Sequence, residues 1–136
     1  MKRFKTRIIE KPKIHIRKVN KSNKKEQEFY KNLMECIYKS QCDRLSELLE
    51  KKTINLERRD KFGNSPLNTW VQIGNHKILA ILIAHGADVA VANDLGNTPL
   101  HYSIAYKFAS ITQQLINSGA DQLYKNQKNK IPWEGI

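Results

Sequence analysis

Cysteine is scarce: 136 residues hold only Cys36 and Cys42, and no other Cys or His stands at metal-ligand spacing from them. That argues against a disulfide framework or a zinc site, and the pair reads as reduced thiols of an intracellular protein. Long apolar runs are missing as well. The longest, Ile78 to Ala84, has seven residues, far short of the roughly 20 that cross a membrane as a helix. The basic N-terminus has no apolar core behind it and does not read as a secretory signal. Glu10, Pro12 and a Lys bias likewise interrupt the Arg-rich amphipathic helix of a mitochondrial presequence. There is no Gly-rich phosphate loop, and no Ser/His/Asp or Cys/His arrangement better than chance. Carboxylates are scattered rather than paired. No catalytic residue, cofactor or metal site is therefore assigned, and an enzyme is not expected.

Acidic residues are sparse at one end. The chain carries a net charge of +11, yet residues 1–25 hold eleven Lys or Arg against Glu10 alone. Residues 26–136 hold thirteen against twelve acids. The basicity is thus an arm rather than a property of the whole chain. Lys2, Arg3, Lys5, Arg7, Lys11, Lys13, Arg17 and Lys18 are candidate contacts to a nucleic acid, an anionic lipid or an acidic protein face. A solubilising tail is the plainer reading. Phe4 is the one aromatic of the arm, whereas single-strand readers interleave several with their basic residues. Phosphate contacts alone would be salt-sensitive and non-specific. Ile8, Ile14 and Ile16 alternate weakly with charged neighbours, but a lone hairpin is marginal in water, so much of the arm is expected to be disordered or loosely docked.

What is present is a repeat. Gly63-Asn64-Ser65-Pro66-Leu67-Asn68 returns 33 residues later as Gly96-Asn97-Thr98-Pro99-Leu100-His101. Gly86-Ala87-Asp88 returns at the same spacing as Gly119-Ala120-Asp121. A fixed period of this length means a stack of identical supersecondary units. The turn signature, two helical patterns and a closing Gly resemble the ankyrin repeat. The resemblance implies an all-α fold: a short solenoid of helix-turn-helix repeats joined by β-hairpin-like fingers, serving as a protein-binding scaffold. The units fall at 58–90 and 91–123, with an N-terminal capping repeat at 26–57 and a truncated C-terminal cap at 124–136.

Each unit can be read residue by residue. In the first, Phe29, Leu33 and Ile37 form an amphipathic row, with Asp43 as a plausible N-cap of the second helix. Thr53 replaces the closing Gly. In the second unit, Ser65 caps and Pro66 opens the inner helix, and Gly86 supplies the left-handed end of the outer one. Trp70 stands where the family favours Ala; core packing is expected, and a binding hot spot is the alternative. In the third, Thr98 and His101 match the family positions that hydrogen-bond the turn. Asn68 takes the His position of the second unit, Lys107 stands where a Gly is usual, and Gln114 where an apolar residue is. In the fourth, Asn129 takes the Gly position, and Pro132 with Trp133 is expected to fold onto the last helices.

Carried over by position, the resemblance places partner contacts on fingertips and inner helices. These are Arg59, Lys61, Phe62 and Asn64; Asp94, Leu95 and Asn97; Lys125 and Lys128; and Gln72, Ile73 and Tyr106. Exposed aromatics beside Arg and Lys fit a protein interface. The expectation is a non-enzymatic interaction module, monomeric alone, binding an unidentified protein in its concave groove. The alternative makes a nucleic acid or anionic membrane the main ligand of the arm, with the repeats as platform. A cytoplasmic setting is expected, and the Lys/Asn/Ile richness fits small ankyrin proteins that act inside host cells.

Overall fold

Apolar residues recur at helical spacing in pairs of short segments, and paired helices are what they form. The computed structural model describes residues 24–51 and 56–136. Helices α1 (Lys24–Tyr38) and α2 (Cys42–Lys51) make the first pair, α3 (Pro66–Ile73) and α4 (His76–Ala84) the second, and α5 (Pro99–Ala105) and α6 (Ala109–Asn117) the third. A 3-10 turn, Pro132–Glu134, follows. No strand occurs among the described residues. The arm contacts from Lys2 to Lys18, and Thr53, lie outside them. Lys24 and Lys25, assigned to the arm by charge, open α1 instead.

The helices stack in two layers. Inner helix α3 packs between α1 and α5, and outer helix α4 between α2 and α6. Each contributes one apolar stripe to a continuous core. Leu33, Cys36 and Ile37 of α1 meet Leu45 and Leu49 of α2; Leu67 and Val71 of α3 meet Ile78, Leu79 and Leu82 of α4; Leu100 of α5 meets Ile111 and Leu115 of α6. Each such side chain stabilises the fold by about 1.5–3 kcal/mol relative to exposure. Trp70 is 1% exposed and belongs to this core, so the hot-spot alternative does not apply. Its ring fills the α3 stripe where a small residue would leave a void, although the buried indole N–H finds no hydrogen-bond acceptor. Asp43 is not the N-cap of α2: the helix starts one residue earlier, and Asp43 sits in its first turn, where its charge opposes the helix dipole favourably.

The helix ends show where the sequence is well matched and where it is not. Leu82 accepts from Ala87 N–H and Ile83 from Gly86 N–H, both at 3.0 Å, while Gly86 holds φ +86°. Gly119 repeats this ending at the end of α6. The end of α5 has the same bonding pattern, Phe108 N–H to Ser103 at 2.9 Å and Lys107 N–H to Ile104 at 3.1 Å, but its left-handed residue is Lys107 at φ +61°. A Cβ in that conformation costs about 1–2 kcal/mol. Pro132 is buried and the 3-10 turn packs on α5, as expected. Trp133 does not: it remains 54% exposed, with its indole N–H donating to Gln122 Oε1 at 3.3 Å.

His101 is fully buried at the head of α5. Thr98 N–H donates to Nδ1 at 3.1 Å, so Nε2 carries the proton and donates to the Lys130 carbonyl at 3.0 Å. Burial lowers the pKa of the ring, opposed by the Lys130 hydrogen bond.

Two predictions follow from these local conformations. Lys107→Gly should raise unfolding stability by about 1 kcal/mol, because the backbone already has the conformation Gly adopts without strain; a urea titration would show it. The unfolded chain binds the His101 proton first as pH falls below the ordinary histidine value of about 6.5. Its contribution is therefore present above that pH and lost below it, through the lower folded value. The urea midpoint should drop between pH 7.5 and 5.5, and His101→Asn, though less stable throughout, should show a shallower drop.

Candidate functional site

The three fingers between the helix pairs are built by one side chain each. Asp60 Oδ1 accepts from the N–H groups of Phe62 and Asn64 at 2.8 and 2.9 Å. Asn93 Oδ1 does the same for Leu95 and Asn97, and Asn126 Oδ1 for Lys128 and Lys130, at 2.9–3.1 Å. Short Asx side chains are suited to this because their oxygen reaches the backbone two residues on. A backbone bond closes each loop hairpin-fashion: Asp60 N–H to Asn64, Asn93 N–H to Asn97, and Asn126 N–H to Lys130, at 2.9–3.0 Å. The period of 33 holds for Asp60, Asn93 and Asn126, so this signal was available in the sequence.

The fingers are also tied to one another. Asp94 N–H donates to the Phe62 carbonyl at 3.1 Å, and Gln127 N–H to that of Leu95 at 3.0 Å. Asn93 Nδ2 donates to Asn64 Oδ1 at 3.0 Å, and Asn126 Nδ2 to Asn97 Oδ1 at 2.8 Å. From beneath, Asn68 Nδ2 donates to the Asn97 carbonyl at 3.1 Å, the counterpart of the bond from His101 to Lys130. Arg59 Nη1 bridges the carbonyls of Gly63 and Ala92 at 2.9 and 2.6 Å.

This construction sorts the expected contact residues. Phe62, Leu95, Tyr106 and Ile73 are 59, 53, 44 and 37% exposed, and Lys61, Lys125 and Lys128 are exposed beside them. Lys61 Nζ lies 5.0 Å from the Phe62 ring centre, a cation-π pair. The Tyr106 ring stands 6.0 Å from Tyr102 and 5.9 Å from Phe108, which holds it in place along the inner helix. Asn97 is different. It is 4% exposed, and both its carbonyl and its side chain serve neighbouring units, so a role as a surface contact is corrected to a structural one. Arg59 and Asn64 are half-buried and spend their polar groups inside the finger stack. Gln72 is half-buried, donating to the Asn68 carbonyl at 3.2 Å. Asp94 is half-buried, and burial raises its carboxyl pKa, reinforced by Asp60 and opposed by Arg59.

Sequence reasoning missed one feature. A cleft of about 180 Å³ opens between the second and third fingers, lined chiefly by Leu95, Tyr102, Gln127, Lys128 and Ile136. Among the described residues no group of three or more His, Cys, Asp or Glu could hold a metal ion, and no helix is long and apolar enough to cross a membrane. What the surface offers chemically is shape, exposed apolar rings and lysine charge on a rigid frame.

Comparison with known proteins agrees with that frame. The sequence profile of ankyrin repeats (three copies) matches residues 33–126. Over 98 residues the chain is 34% identical to human Ankyrin repeat domain-containing protein 13C, covering 72% of this chain and 18% of that one. It is 31% identical over 81 residues to Target of rapamycin complex 2 subunit AVO2 of Saccharomyces cerevisiae, 60% of this chain and 19% of the relative. It is 25% identical over 96 residues to Protein phosphatase 1 regulatory subunit 27 of Mus musculus, 71% and 62% of the respective lengths. The chain thus spans about a fifth of the first two relatives. Repeats of this kind form protein-protein interaction modules, and by its period, its fingers and its profile this chain belongs to the ankyrin-repeat family.

Proposed function

We propose that this protein is a non-enzymatic adaptor that binds a protein partner across its fingertips and inner helices, in an intracellular setting. The observation that carries the reading is the row of apolar side chains left outside the core, Phe62, Leu95, Ile73 and Tyr106, on a hydrogen-bonded frame. Aromatic side chains held in place lose little entropy on binding and commonly dominate interface energetics. The names of two relatives, a complex subunit and a phosphatase regulatory subunit, support a role in assembly rather than catalysis. The charge of residues 1–25 favours a second element, electrostatic capture of an acidic protein face by the arm. The same charge also supports the other reading, in which a nucleic acid or anionic membrane is the principal ligand.

Affinity capture from cell extract separates these, with nuclease present and at low and high salt. Phe62→Ala with Tyr106→Ala should reduce capture of a specific partner at least about tenfold, as expected for truncated hot spots. Replacing Lys2, Arg3, Lys5 and Arg7 by Gln should slow association and weaken capture at low salt only. Capture abolished by the arm substitutions or by nuclease, and indifferent to Phe62 and Tyr106, would refute the adaptor reading.

A further inference from the structure

The heads of inner helices α3 and α5 are built alike except at two side chains. Ser65 and Thr98 both hold extended backbone, φ −70° and −90°, and each accepts from the N–H three residues on, Asn68 N at 3.2 Å and His101 N at 3.4 Å. In the third repeat the His101 ring then joins the cap to the finger above it. Its Nδ1 stands 3.1 Å from Thr98 N and 2.8 Å from Thr98 Oγ1, and its Nε2 stands 3.0 Å from the Lys130 carbonyl oxygen. In the second repeat Asn68 Nδ2 reaches the equivalent carbonyl, that of Asn97, at 3.1 Å. The bonds at the other end have no counterpart. Asn68 Oδ1 is buried without a partner, and neither the N–H nor the O–H of Ser65 donates to any group among the described residues.

Bulk solvent does not reach these groups, since Ser65 is 1% and Asn68 0% exposed. Buried N–H and C=O groups are nearly always paired, because leaving one orphaned forfeits its hydration for nothing. Space is present as well. A carboxamide is smaller than an imidazole, and Ser lacks the γ-methyl of Thr, while the Asn68 bonds to Ser65 and Asn97 hold both ends of the gap in place. Polarity then decides what fits. The occupant must donate to Asn68 Oδ1 and accept from Ser65 N–H. The carbonyl oxygen disfavours an anion, and the N–H disfavours a cation. Water does both jobs, and internal waters typically make about three hydrogen bonds to such groups.

We infer that the head of α3 binds one internal water between Asn68 Oδ1 and Ser65 N–H, standing where the third repeat places Nδ1 of His101. It donates to the amide oxygen, accepts from the backbone N–H, and makes its third bond with the Ser65 hydroxyl. The second finger is thus supported by a side chain and a water, the third by a side chain alone. The site is independent of what the fingers bind.

Crystals of the full chain that diffract well enough to show ordered water supply the test. A density peak should lie about 2.7–3.2 Å from both Asn68 Oδ1 and Ser65 N. Asn68→His should abolish that peak and put a ring nitrogen in its place. The reciprocal change, His101→Asn with Thr98→Ser, should create a second peak at the head of α5. In solution, oxygen-17 relaxation dispersion counts long-lived internal waters. Its amplitude should fall by the share of one water in Asn68→His, and should be unchanged by Lys77→Ala on the exposed face of α4. Circular dichroism should show both of these variants folded. No peak between the two groups in the unaltered chain would overturn the proposal. So would a peak that persists beside the introduced ring, or a dispersion amplitude indifferent to Asn68→His. Should the reciprocal variant not fold, the unaltered chain and Asn68→His decide without it.

Discussion

The arrangement depends on one short side chain per repeat, at positions 60, 93 and 126. Each must accept two backbone N–H groups to close its own finger, and an amide or a carboxylate serves equally for that. The sideways bond discriminates between them. Asn93 and Asn126 each donate from Nδ2 to the oxygen of the preceding finger, Asn64 Oδ1 and Asn97 Oδ1. A carboxylate could not donate. Asp60 stands at the first finger, preceded by helix α1 at the corresponding position, and there only acceptance is required. Its second oxygen takes the Asn64 amide at 3.4 Å instead. The residue type at each position follows from whether a finger lies before it. Each such bond contributes about 1 kcal/mol, and together they fix the spacing of the tips.

That spacing is tight, which explains the glycines. A Cβ on Gly63 would lie 2.9 Å from Asp94 N, and one on Gly96 would lie 2.8 Å from Gln127 N. Both residues also hold positive φ, +77° and +76°, so two independent constraints select the same residue. Asn129 adopts φ +61° at the equivalent place in the third finger, a conformation Asn tolerates better than most residues. The functional consequence is a rigid row. Fingers locked backbone to backbone present Phe62 and Leu95 already ordered, so little conformational freedom is lost when a partner lands on them.

Much of this was legible because a period of 33 repeats backbone requirements, and those are carried by Gly, Pro and capping residues that tolerate few substitutes. The helix pairs, the Ser65 and Thr98 caps and the buried role of His101 are all of this kind. Expectations failed where a residue's environment is set by the neighbouring unit rather than its own. Asn97 sits at a position that is solvent-facing in a lone repeat, but the amide of Asn126 covers it. Trp133 occupies the place of the buried Leu67 and Leu100, yet a three-residue 3-10 turn cannot deliver its ring into the core as a full helix does. The cleft was invisible for a related reason: Leu95, Tyr102 and Ile136 are far apart in sequence and meet only through the stacking. Asn68 is an intermediate case. Its amide copies the inter-unit bond of His101, but its Oδ1 is buried without a partner, because the shorter side chain cannot also reach the cap backbone.

The distribution of charge follows from the same construction. Fingers consume carboxylates and amides as turn anchors, and Asp88 and Asp121 close their repeats by accepting from Ala90 and Leu123 N–H groups at 2.8 Å. Lysines have no such employment in the turns, so those at the tips, Lys61, Lys125 and Lys128, remain available to solvent. These lysines stand beside carboxylates that are themselves exposed, Asp88 and Asp121 among them, so the repeat body stays nearly neutral at its surface. Residues 1–25, by contrast, carry eleven Lys or Arg against one acid. Long-range attraction by such an arm raises the encounter rate and fades with salt, whereas an apolar recess acts only at contact and is nearly indifferent to salt. A partner with an acidic face for the arm and an apolar surface for Phe62 and Tyr106 would engage both kinds of contact, the first governing how fast it arrives and the second how long it stays.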